Sequence, residues 1–295
     1  MTSALILPTF FAGGDDSPPD SQRLRWETAR EWQHSGQQWD LAEIRASTAG
    51  VTRGRMTELV GRMAAAGEEL GLACTAALEA SRWRARWDEE RAHMAARAMA
   101  DLTAHYCLLV GHGLVNMTAR LMHLRGELAY DQAKKPYRIA VESPPFTEHG
   151  AWLAMNAENV RELRRDAAAS NTPELIELAA LLVRLEQNQT WREVVGRRNT
   201  EFHRMRPQTI DGGVPQVNPW VQYSEATDEH ESGWHMEFGN PQNPYTPDVA
   251  QLVDESEVAL DALVDIMVEW GKGWHRALVA LNVAPAQAQE QAEEG

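Results

Sequence analysis

RARWDEERAHMAARAMADLTAHYCLLVGHGLVNMTARLMHLRGEL, residues 84–128, is the stretch whose reading decides the fold. It has no proline and is rich in Ala, Leu, Met, Arg and Glu, the residues that lose least on entering a helix. The same composition reaches back to residue 39 and on to about residue 130, again without proline. It predicts helices near 39–49, 55–80 and 84–128, the last either continuous or broken at Gly111–Gly113.

Outward from there, residues 13–21 read as a loop, and a helix starting near Ser21 carries Trp26 and Trp32. Lys134, Lys135, Pro136, Pro144 and Pro145 mark a connection, followed by a helix over about 148–169. Thr172-Pro173 is a helix start, with Thr172 at the N-cap and Pro173 at the first helical position. Leu175, Leu178, Leu182 and Leu185 set an apolar stripe that resumes at Trp191, Val194 and Val195. Pro207 ends that helix at or before Arg206. Residues 207–247 hold six prolines and form a long irregular segment, with room for short hairpins around Val214–Tyr223 and Gly233–Phe238. A last amphipathic helix opens at Asp248, and the Ala/Gln/Glu-rich end is expected to lack a core. No internal repeat of fixed period appears. The expected fold is therefore all-α: an antiparallel helical bundle, with extra N-terminal helices and an irregular acidic insertion before the last helix. The expected divisions are a 1–21 tail, an additional helical layer over 22–83, a bundle over 84–281 interrupted at 207–247, and a 282–295 tail.

The chain has 295 residues, enough for one large domain or two small ones, and a formal charge of −15. Thirteen acids and no Lys or Arg fall in 207–269, so nearly all of the excess lies there. Global acidity argues against non-specific nucleic-acid binding, which needs clustered cations, but not against a local cationic site. Cys74 and Cys107 are too few for a disulfide scaffold or a Cys-built zinc site. No apolar run approaches the roughly 20 residues of a membrane helix, and the Ala4–Ala12 stretch lacks the features of a secretory signal. A cytoplasmic, membrane-free protein is expected.

One local cationic site stands out: Gly196-Arg197-Arg198-Asn199-Thr200-Glu201-Phe202-His203-Arg204-Met205-Arg206-Pro207. Histidine titrates nearest neutrality and is the default general acid or base. The planar guanidinium of arginine matches phosphate oxygens. Asn199 and His203, four apart, share a helix face; Arg198, five from His203, lies about 140° around an ideal helix. In the last turn the helix dipole favours the imidazolium form of His203. On residue types alone, the same stretch also reads as a basic helix C-terminus with Val194, Val195 and Phe202 packed inward.

The Arg198-Asn199-x-x-x-His203 pattern resembles the signature of the HEPN superfamily: an Arg, often followed by a polar residue, and a His four to six residues on. The resemblance spans about 84–281 in helix pattern and these few residues in chemistry. It implies a helical-bundle, metal-independent endoribonuclease without a cofactor, working as a homodimer that brings two motifs into one cleft. His203 would act as general acid/base, Arg198 would stabilise the phosphorane, and Asn199 would position one of them. Arg197, Arg204 and Arg206 would bind the RNA substrate, and the product would be a 2′,3′-cyclic phosphate. A toxin or anti-phage role, with an antitoxin or defence partner, belongs to the same implication. The alternative is a catalytically silent module of this fold that docks a protein or nucleotide. The eleven tryptophans read first as helix packing, and Trp270 and Trp274, four apart, also as a dimer or partner ridge for that module.

Other constellations are weaker. Glu90-x-x-His93 is half of a di-iron motif with no second half, and a solvated helix face explains it better. Asp228, Glu229, His230 and Glu231 with His235 and Glu237 could ligate a metal, but read first as a charged loop. That loop could instead shield the Arg cluster until RNA displaces it; RNA binding unchanged on neutralising Asp228, Glu229 and Glu231 would refute this. His105, His112 and His123 on one apolar helix read as core or groove histidines.

Overall fold

The computed structural model describes residues 22–34, 51–86, 92–124, 153–203, 219–224, 233–238 and 249–283; for 51–55, 57, 197–203 and the two strands it describes the backbone. The described residues form an all-α bundle with one small hairpin. In chain order the elements are α1 (Arg23–Gln33), α2 (Val51–Arg84), α3 (Ala92–Met122), α4 (Ala157–Ser170), α5 (Pro173–Gln187), α6 (Gln189–His203), β1 (Pro219–Ser224), β2 (Gly233–Phe238) and α7 (Val249–Ala280).

Side-chain pairs give the helix directions. Gly113 of α3 lies beside Ala66 of α2, and Arg120 bonds Glu58, so numbers rise on one helix as they fall on the other. The same antiparallel run joins α2 to α7 through Arg84–Asp254 and Ser81–Glu257, and α5 to α7 through Glu177–Arg276 and Arg184–Glu269. α7 is the hub: it packs against α1, α2, α3, α5 and α6. One apolar core runs from Trp26 on α1 to Val283 beyond α7. Within it Trp270 is fully buried, lies 5.3 Å from the Trp32 ring and stacks on Trp274 at 6.3 Å. The Trp270 Nε1–H donates to the Thr118 hydroxyl at 2.9 Å, so the one polar atom of the ring is satisfied.

Several boundaries differ from expectation. α2 runs to Arg84 instead of stopping near residue 80, and α3 spans Ala92–Met122 instead of 84–128. α3 is continuous at Gly111–Gly113: a Cβ on Gly111 would sit 2.9 Å from the Trp191 ring, so that glycine gives close packing and not a break. The helix expected from about 148 begins at Ala157, because Asn156 caps it by accepting from the Asn159 N–H at 2.9 Å. Asn171 ends it in the left-handed region (φ 53°). Thr172 is at the N-cap and Pro173 in the first turn of α5, as read, but the Thr172 side chain makes no capping bond. The β1–β2 pair is antiparallel, with Val221 opposite Met236.

Candidate active site

Asn188 separates α5 from α6. Its extended backbone (φ −64°, ψ 121°) stops α5, and its Oδ1 accepts from the Trp191 N–H at 2.9 Å to start α6. Trp191, Val194 and Val195 are buried in the common core, with the Trp191 ring against Gly111 of α3. The first half of α6 is thus held by the bundle. The backbone continues as helix through Arg197, Arg198 and Asn199 and ends at His203. Asn199 and His203 are one turn apart, and Arg198 precedes His203 by about 7.5 Å of helix rise. All three stand in or next to the last two turns, where the dipole favours a protonated imidazole. The side chains of Arg197, Arg198, Asn199 and His203, and all of Arg204 and Arg206, lie outside the described residues.

Three other histidines, His112, His123 and His275, occupy structural places. The His112 Nδ1 accepts from the Met155 N–H at 2.8 Å, which leaves that nitrogen unprotonated and ties the start of α4 to α3. Beside it, Asn116 is fully buried, accepts from the Leu153 N–H at 3.1 Å and donates to the Leu153 carbonyl at 2.8 Å. His123 is buried with its Nε2 3.7 Å from Asp166. Burial depresses the pKa of His275 on α7. Burial pushes the Cys74 thiol up to about 12 and raises Cys107 as well, so neither is a nucleophile at neutral pH. Among the described residues no group of three His, Cys, Asp or Glu is placed to hold a metal ion. Glu90 and the Asp228–Glu231 loop lie outside those residues, while His235 and Glu237 fall on one face of β2.

Of the two readings given to Trp270 and Trp274, packing holds and the ridge is overturned. Trp270 and Trp274 are 0% and 1% exposed, so they form no docking ridge: their i, i+4 spacing is that of a core stripe, and α7 turns that stripe into the centre of the bundle. The silent-module alternative loses the surface it was assigned.

Sequence reasoning missed the buried ion pairs. Arg25 on α1 is nearly buried and makes two bonds to Asp261, 2.6 and 2.9 Å, with Glu257 3.7 Å away. Burial works against the Arg25 charge, but the Asp261 carboxylate outweighs it and raises the pKa. Arg120 on α3, also buried, bonds Glu58, which accepts in turn from Arg62 at 2.8 Å. The available signal was Glu257 and Asp261, four apart along a helix whose apolar stripe was already visible. No helix of the described residues is long and apolar enough to cross a membrane.

No known protein family, curated protein or solved structure matches the chain.

Proposed function

We propose that this chain is a metal-independent endoribonuclease of HEPN type, with its chemistry at the C-terminal turns of α6. The observation that carries the reading is the construction of α6. Its first half is anchored by Trp191, Val194 and Val195, and one unbroken helix holds Arg198, Asn199 and His203 within two turns. Chemistry placed on a helix fixed by a core is more precise than chemistry on a loop.

The residues suit transesterification within RNA. An unprotonated His203 takes the proton of a 2′-hydroxyl, whose oxygen attacks the adjacent phosphorus. Arg198 faces the charge that builds on the phosphorane oxygens, where a fixed cation lowers the barrier most. Asn199, on the His203 face, orients one of these groups. The P–O5′ bond breaks, and a protonated imidazole returns a proton to the departing 5′-oxygen, leaving a 2′,3′-cyclic phosphate. In the homodimer two His203 residues share one cleft, so one acts as base and the other as acid. The nucleophile is supplied by the RNA, and no step calls on a metal. Arg197, Arg204 and Arg206 contact flanking phosphates. Such an enzyme fits a cytoplasmic toxin or anti-phage role held in check by an antitoxin or defence partner.

Incubation of total RNA with purified protein in EDTA, beside His203→Ala, tests the reading. Cleavage to cyclic-phosphate ends by the wild type and its loss in the variant are expected. Equal cleavage by both, or none by a dimeric wild type, would overturn it.

A further inference from the structure

Residues 153–156 lead into α4 as a strap that is not helical, and three hydrogen bonds tie it to α3. The Asn116 side chain donates to the Leu153 carbonyl at 2.8 Å and accepts from the Leu153 N–H at 3.1 Å. The His112 Nδ1 accepts from the Met155 N–H at 2.8 Å. His112 and Asn116 are four apart, so they stand on successive turns of one face of α3. Leu153 and Met155 are buried, and Ala154 between them is half-buried. From the far side, the Asn159 side chain of α4 donates to the Ala154 carbonyl at 2.8 Å.

The strap forms part of the seat of α6. A Cβ on Gly111, the residue before His112, would lie 2.9 Å from the Trp191 ring and 3.5 Å from the Met155 Cγ. The two side chains therefore meet over one glycine. Trp191 is buried, and its backbone N–H donates to the Asn188 Oδ1 at 2.9 Å. Met155 is thus one wall of the place that receives the Trp191 ring, and the His112 Nδ1 fixes the backbone of that wall. From this seat α6 runs as a lever. Trp191 lies about 10 Å of helix rise before Arg198 and about 18 Å before His203. A small tilt at Trp191 is enlarged at the far end of the helix. A displacement of about 1 Å in a reacting group can cost about 100-fold in rate.

We infer that His112 is a positioning residue for the site on α6, acting through the Met155 backbone and the Trp191 ring, an inference that rests on the ribonuclease reading. In this role His112 exchanges no proton with the RNA. It supplies the lone pair that holds Met155, and Met155 holds the ring at the root of the helix. Without an acceptor at that point the Met155 N–H loses its partner on α3, and the wall beside Trp191 is free to shift.

The test compares full-length His112→Phe and His112→Asn with the wild type. Phe fills the space of the imidazole and has no acceptor; the Asn Oδ1 takes the place of Nδ1 and accepts as it does. Two quantities are read. One is kcat and KM for EDTA-resistant cleavage of a single-stranded RNA. The other is the fluorine NMR signal of Trp191 in fluorotryptophan-labelled protein, identified by its loss in Trp191→Phe. His112→Phe is expected to lower kcat at least about tenfold, with KM within about twofold, and to move the Trp191 signal. His112→Asn should restore both. Met155→Ala keeps the N–H bond and removes the wall, so it should behave as His112→Phe does. It also decides the matter if circular dichroism shows His112→Phe unfolded. Asp261→Asn weakens the fold between α1 and α7 instead, and should leave kcat and the Trp191 signal unchanged. Cleavage by the wild type, with kcat or the Trp191 signal unchanged in both His112→Phe and Met155→Ala, would refute the positioning role and leave the ribonuclease reading standing. So would an equal loss of kcat in Asp261→Asn, or a His112→Asn no more active than His112→Phe. No EDTA-resistant cleavage by the wild type would refute both.

Discussion

Gly67 shows how much one atom decides. A Cβ there would lie 2.7 Å from the Trp32 carbonyl carbon and 2.8 Å from the Ala29 oxygen, and closer still to the Gln33 nitrogen. These are backbone atoms of α1 and cannot rotate away. Gly67→Ala is therefore expected to destabilise by about 1–2 kcal/mol, the overpacking cost less the gain in helix propensity. Gly61→Ala, in open space on the same helix, should stabilise by up to about 1 kcal/mol. Opposite shifts in denaturant midpoint would confirm both. Glu69, two residues from Gly67, carries the pH dependence. Burial, with Glu68 alongside, pushes its carboxyl up to about 7. Between about pH 4.3, where the unfolded carboxyl titrates, and about 7, the folded chain holds a proton that the unfolded chain has lost. Its contribution to stability is complete below that window and falls as pH rises through it. Glu69→Gln should flatten the melting profile across the window and raise the melting temperature at pH 8 relative to the wild type.

At the scale of elements, α7 explains much of the acidity that the composition displays. Asp254, Glu257, Asp261 and Glu269 clamp it to α2, α1 and α5 through Arg84, Arg25 and Arg184. The clamps differ in worth. Arg184 and Glu269 are both about half exposed, so Glu269→Gln should cost no more than about 1 kcal/mol. Asp261→Asn leaves the buried Arg25 with Glu257 alone, and should cost about 1.5–3 kcal/mol, the range for hydrogen bonds to charged groups. Urea denaturation of the two variants compares them directly. Trp270→Ala empties the centre of the bundle and strands the Thr118 hydroxyl, with an expected loss of about 3–5 kcal/mol. A near-neutral Trp270→Ala would contradict the core position of that ring.

For the whole molecule, the proposed chemistry needs two α6 termini in one cleft. Light scattering is expected to give twice the 33.0 kDa chain mass, and dilution that yields monomers should abolish EDTA-resistant cleavage. Full activity in a monomer would remove the acid–base pairing of two His203 residues. The main core joins α1 and α2 to the later helices; α7 packs on α1, α2 and α6, and α3 on α2 and α6, so the N-terminal helices are part of the platform under α6.

The sequence by itself determined the helical class and the Pro173 start of α5. It also located the cationic motif at Arg198–His203, because propensity, proline geometry and residue chemistry are local properties. It placed the leucine stripe of α5 in the core for the same reason: a 3.6-residue period reads directly as a face. Only the tertiary structure decided which helix covers which. That choice turned Trp270 and Trp274 from a candidate ridge into the core, and Gly111 from a candidate break into the seat of Trp191. It also spent the α7 carboxylates on distant arginines. Pairing across 85 to 236 positions of chain leaves no periodic trace, so it becomes visible only when the helices are laid side by side.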